Sequence, residues 1–127
     1  MKTVLISATF YSIAFDSLIH ILEQLLDKDK LRPRYRIIGE EINYEDDLFE
    51  IYIYSLESPK KEKGIDDYLF DTEYKGSLKD AEAFIQKLIN ELLAANIKYQ
   101  FEYNEAIDEE GVGEEYVLEH PQLRANV

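Results

Sequence analysis

Val4, Ile6, Ala8 and Phe10 alternate along the first residues of the chain, and Leu5 and Tyr11 lie on the opposite side. An alternation that is apolar on one side and partly apolar on the other predicts a central strand over 2–11 rather than an edge strand. The period then changes. Phe15, Leu18, Ile19, Leu22, Leu25 and Leu26 fall at three- and four-residue steps, which predicts an amphipathic helix over 16–28. Ser12 or Asp16 is the expected cap, and Pro33 with the charged residues before it is the expected stop. Two strand-like runs, 35–44 and 48–56, flank Glu45, Asp46 and Asp47 and read as a hairpin. In the second run Phe49, Ile51 and Ile53 alternate with Glu50, Tyr52 and Tyr54.

Residues 57–67 hold Pro59, Gly64 and seven charges, the composition of a surface loop. Tyr68, Phe70, Thr72 and Tyr74 alternate with polar positions, so a short extra strand is expected over 68–74. A second helix follows. Ser77 is its cap with Asp80 three residues on, and Ala81, Phe84, Ile85, Leu88, Ile89, Leu92 and Leu93 form its apolar stripe. Asn96 suits the exit. Ile97, Tyr99, Phe101 and Tyr103 then alternate with Lys98, Gln100, Glu102 and Asn104, as a strand does. A Gly-containing turn over 108–113 leads to a short run, 114–118, that can pair back before Pro121; the residues beyond read as frayed. The expected fold is therefore α+β: a two-layer, ferredoxin-like β-α-β-β-α-β sandwich with an added C-terminal strand and both helices on one face of a mainly antiparallel sheet. At 127 residues, one domain over 1–127 is expected.

Composition adds a bias of charge. Lys and Arg number 14 against 27 Asp and Glu, a formal net charge of −13. Residues 1–39 carry six cations and four anions, whereas residues 40–127 carry eight cations and 23 anions. Nucleic-acid binding is disfavoured, because phosphate contact needs clustered cations. The cations of the first part, Lys28, Lys30, Arg32, Arg34 and Arg36, alternate, and pairing with Glu40 and Glu41 is their expected use. No apolar stretch reaches the roughly 20 residues of a membrane span, so no membrane partner is expected. The apolar stretch from Val4 to Phe15 is interrupted by Ser7, Thr9 and Ser12 and has no small-residue cleavage site behind it, unlike a signal peptide. A cytoplasmic location is the default expectation.

Chemistry is hard to assemble from these residues. There is no cysteine, and the two histidines are His20, expected as a partly buried structural residue, and His120, beside Pro121 near a loose end. Neither a nucleophile elbow nor a His-Glu-x-x-His run occurs, and the glycines never form a phosphate-binding loop. Asp108-Glu109-Glu110-Gly111 lacks the spacing of a calcium loop. No cofactor, metal or catalytic set is expected. What remains is a recognition surface. Tyr44, Glu45, Asp46, Asp47 and Tyr52 on the first hairpin, with Tyr103, Asp108, Glu109, Glu110, Glu114, Glu115 and Tyr116 on the C-terminal one, combine aromatic anchors with carboxylates. Tyr52 and Tyr103 are the expected exposed anchors. Such a surface suits a basic protein partner.

In make-up (small, acidic, cysteine-free, tyrosine-rich) the chain resembles bacterial immunity proteins that neutralise basic toxins. The likeness is one of composition over the whole chain, with no motif. It implies a non-enzymatic inhibitor. Two other classes fit the same residues: a small-molecule-binding or enzymatic domain with a pocket between helices and sheet, and a structural domain that forms a homodimer through a sheet edge.

Overall fold

A computed structural model describes residues 2–37, 39–57, 64–107 and 111–122. Its elements run β1 (Thr3–Ala14), α1 (Phe15–Leu25), a 3-10 turn (Lys28–Lys30), β2 (Leu31–Tyr35), β3 (Glu40–Glu45), β4 (Phe49–Ser55), β5 (Ile65–Lys75), α2 (Leu78–Ala94), β6 (Lys98–Ile107) and β7 (Gly111–Glu119). The fold is α+β: all seven strands form one open antiparallel sheet in the order β2-β3-β4-β5-β1-β6-β7, and both helices pack on it. That sheet is larger than the one expected. The chain leaves β1 through α1, returns at the far edge as β2, and meanders back strand by strand to β5 beside β1. Helix α2 then carries it over β1 to β6.

β1 lies between β5 and β6, as its two-sided apolar character requires. Val4, Ile6, Ala8, Phe10 and Ile13 are buried. A bulge between Phe10 and Ile13, with Ser12 at a φ of 53°, keeps both of those residues inward although they are three apart. The Ser12 N–H donates to Asp67 Oδ1, so Ser12 does not cap α1; the cap position is Ala14, without a side-chain bond, and Asp16 sits in the first turn.

Pro33 does not stop a helix. Helix α1 ends at Leu25, the Asp27 carboxylate accepts from the Asp29 N–H to hold the 3-10 turn, and Pro33 lies within β2. β2 is an edge strand paired only with β3, where a residue lacking an N–H is tolerated. The run 35–44, read as one strand, breaks at Gly39, whose φ is +77° and where a Cβ would strike the Ser55 hydroxyl. The expected short strand over 68–74 is an eleven-residue strand, β5, paired on both sides. Its extra length was hidden in the charged stretch, since Asp66 and Asp67 belong to β5; residues 58–63 of the expected loop lie outside the described residues.

The second helix begins and ends where its sequence implies. The Asp80 N–H donates to Ser77 Oγ, and Asn96, with φ 59°, turns the chain so that the Ile97 N–H reaches the Leu92 carbonyl. Ala81, Ile85, Leu88, Ile89 and Leu92 are buried against the sheet, while Leu93 remains exposed. Among the described residues, no helix is long and apolar enough to cross a membrane.

Leu88 is fully buried and Lys87, its neighbour in sequence, is exposed. Replacing Leu88 by Ala is expected to cost about 2–5 kcal/mol in chemical denaturation. Lys87→Ala should cost less than about 0.5 kcal/mol.

Candidate functional site

With both helices on one side, the other side of the sheet is uncovered among the described residues. Strand alternation decides what it displays, because each residue between two buried ones must point outward. Register aligns these outward residues in rows. One row runs Arg32, Asn43, Tyr52, Asp71, Ser7, Glu102 and Val117 from edge to edge. The next runs Glu45, Glu50, Glu73, Leu5, Asn104 and Glu115.

These two rows, Val117 excepted, line a concavity of about 890 Å³. Six carboxylates lie in it: Glu45, Glu50, Asp71, Glu73, Glu102 and Glu115. Lys30 and Arg32 mark its β2 end. Among the described residues the ion pairs lie elsewhere: Lys2 with Glu105, and Arg34 and Arg36 each 3.8 Å from the buried Glu41. Of the five cations expected to pair with Glu40 and Glu41, Arg34 and Arg36 thus pair with Glu41. Arg32 instead donates to the Asp29 and Leu31 carbonyls. Within the concavity, Ser7 Oγ donates to Asp71 Oδ1, and Asn104 Nδ2 is buried without a hydrogen-bond partner among the described residues.

Glu50 stands opposite Glu45 on one side and Glu73 on the other. Like charges directly opposed on neighbouring strands repel. The fold tolerates this row because the same register places Phe49 against Tyr74 and Ile51 beside Thr72 on the buried side.

The expected site residues divide between the two sides. Glu45, Tyr52 and Glu115 line the concavity, Tyr52 packing against Tyr54 with ring centroids 5.1 Å apart. The Tyr52 hydroxyl is pushed up from its ordinary pKa, first by burial and then by Glu41. Tyr103 is not an exposed anchor. It is 4% exposed on the helix side, where its hydroxyl donates to Glu82 Oε2 at 2.7 Å and its ring stacks on Tyr116. Tyr44 is also among the residues lining the concavity, but it is only 3% exposed and so is not an exposed anchor either. Glu114 and Asp47 are exposed away from the rows. Asp108, Glu109 and Glu110 lie outside the described residues.

Asp46 has a structural task. Its Oδ1 accepts from the Leu48 and Phe49 N–H groups, and its Oδ2 accepts from the Tyr44 hydroxyl, which itself accepts from the Asp27 N–H. One carboxylate thereby ties the β3–β4 turn to the end of α1. Burial pushes the Asp46 carboxyl up, but the bonds from Tyr44, Phe49 and Leu48 and the nearby Lys30 outweigh it and hold it below its ordinary value. Burial, then Asp46, push the Tyr44 hydroxyl up to about 12.

The histidines also differ from expectation. His20 is exposed, beside Asp16, Ser17 and Ile21 in a smaller crevice near Ala95. His120 is buried: its ring meets Tyr99 edge-on, its N–H donates to the Tyr99 carbonyl, and its Nδ1 accepts from the Gln122 N–H. Among the described residues, no group of three or more His, Cys, Asp or Glu is arranged to hold a metal ion. Glu50, Asp71, Glu73 and Glu102 are the residues that sequence reasoning left out of the site. Their outward position was visible in the alternation, but their convergence depends on register between strands distant in sequence. Comparison with protein-family models, curated proteins and solved structures finds no match to this chain.

Asp46→Ala is expected to destabilise the protein by about 1–3 kcal/mol, since two N–H groups and a buried hydroxyl lose their acceptor. A depressed folded-state pKa contributes stability above the unfolded value, and that contribution is lost as pH falls through the folded one. Asp46→Asn should therefore flatten the acid limb of a stability–pH curve. Glu50→Gln, by contrast, should raise stability by about 0.2–1 kcal/mol at low ionic strength, the scale of one cross-strand charge pair. The gain should shrink in salt, as denaturant titrations at two ionic strengths will read.

Proposed function

We propose that the chain is a non-enzymatic binding protein that receives a basic protein partner on its uncovered sheet face. The supporting observation is the concave surface of about 890 Å³ carrying six carboxylates, none of them in an ion pair among the described residues. A face of this sign draws cationic surfaces from beyond contact distance, and Tyr52 and Tyr54 at its border offer rigid aromatic area once contact is made. The concavity lies on the side of the sheet opposite the helices, which favours a macromolecular surface over a ligand enclosed between helix and sheet. An inhibitor or immunity-type role, in which this face covers the phosphate-binding surface of a toxin such as a nuclease, is the form of partner best matched to that chemistry.

The test is affinity capture from the native host followed by binding kinetics on the partner recovered. Combined reversal of Glu50, Glu73 and Glu115 to Lys should slow association roughly tenfold or more at low salt, with a smaller effect at high salt. Tyr52→Ala should mainly speed dissociation. Capture of acidic or neutral partners alone, or an affinity indifferent to the reversals, would reject the proposal.

A further inference from the structure

The spacing of the acidic row carries a statement about the shape of the partner, and it rests on the basic-partner reading above. Glu45, Glu50 and Glu73 occupy the same row on three adjacent strands, β3, β4 and β5. Neighbouring strands are about 4.8 Å apart, so the row from Glu45 to Glu73 spans about 9.6 Å across the sheet. An α-helix advances about 1.5 Å per residue, so side chains at i and i+7 are about 10.5 Å apart with a third between them at i+3 or i+4. One helical face thus meets three strands with one side chain per turn. An extended segment laid along the same row presents side chains on one face only every 6.6–6.8 Å or so, out of step with the strands after a single contact.

We propose that the element received by this face is a cationic amphipathic α-helix of the partner, lying across the strands, with Lys or Arg at i, i+3 or i+4, and i+7 over Glu45, Glu50 and Glu73. Charge complementarity selects it: the row is a line of like charges whose mutual repulsion is relieved when cations lie over it. Asp71 and Glu102, in the adjacent row, face the same concavity and extend the acidic floor toward β6. Lys30 and Arg32 close the β2 end, so the helix presents an acidic or neutral terminus there and its cations toward the middle of the sheet.

The experiment uses three synthetic peptides of identical length and charge with the full chain. In the first, Lys recurs at i, i+4 and i+7 on one face of an Ala-rich helix. In the second, the same residues are scrambled around the helix; in the third, central prolines prevent helix formation. Fluorescence anisotropy should give at least tenfold tighter binding for the first peptide than for the other two. Glu50→Gln with Glu73→Gln should abolish that preference, while Glu23→Gln on the exposed side of α1 should leave it unchanged. Equal binding of all three peptides would overturn the helix and leave the acidic face as a receptor for basic chains of any shape. Binding of the first peptide that ignores the Glu50 and Glu73 changes would overturn the helix and the acidic face together. No binding of the first peptide would overturn the helix alone, since the captured native partner reports on the face separately.

Discussion

Because β1 pairs along its length with β5 on one side and β6 on the other, its alternation decides which side of the whole sheet is apolar. Phe10 shows how tightly this is held. It is fully buried, its ring packs 5.5 Å from Phe70 and 5.9 Å from Phe101, and those rings come from the two flanking strands. A slip of one residue in either pairing would turn Val4, Ile6, Ala8 and Phe10 toward water. Register is therefore settled by packing on one side, and the other side inherits its pattern without separate choice. The carboxylate row is such an inheritance: burying Phe49 and Ile51 leaves Glu50 no position except between Glu45 and Glu73.

The two sides stand in different electrostatic regimes. Beneath the helices, tyrosine hydroxyls meet single carboxylates, as Tyr103 meets Glu82 and Tyr68 meets Glu40 at 3.2 Å. Burial and those carboxylates hold the phenols protonated, so each pair is a neutral donor on a charged acceptor. On the uncovered side the carboxylates face one another and water. These two tyrosine hydroxyls are satisfied locally, while the exposed charges are left with their field directed outward.

Much of the architecture was legible in the sequence because two periods dominate it. The stripe from Ala81 to Leu92, bracketed by Ser77 and Asn96, located α2. The alternation through Phe10 placed β1 centrally. Elements misread were those in which charge or a special residue concealed the period. Pro33 suggested a terminator although an edge strand accepts it, Gly39 divided a run that looked continuous, and Asp66 and Asp67 disguised the start of β5. The site was legible only in part for a different reason. Acidic, tyrosine-bearing hairpins were apparent, but which outward residues share a row followed from pairing. Tyr103 alternates in step with Tyr99 and Phe101 and is buried with them, whereas Tyr52 lies between Ile51 and Ile53 and points away, a difference that the two alternations already held.

The alternation that separates the two sides also separates two kinds of mutational constraint. Along β4, the buried Phe49, Ile51, Ile53 and Ser55 are constrained by their neighbours, while Glu50, Tyr52 and Tyr54 between them are not part of that packing. A lineage can rewrite every second residue of β4 and β5 and acquire a different surface without repacking the interior. The outward charge pattern of this scaffold is thus adjustable independently of the contacts that hold its fold.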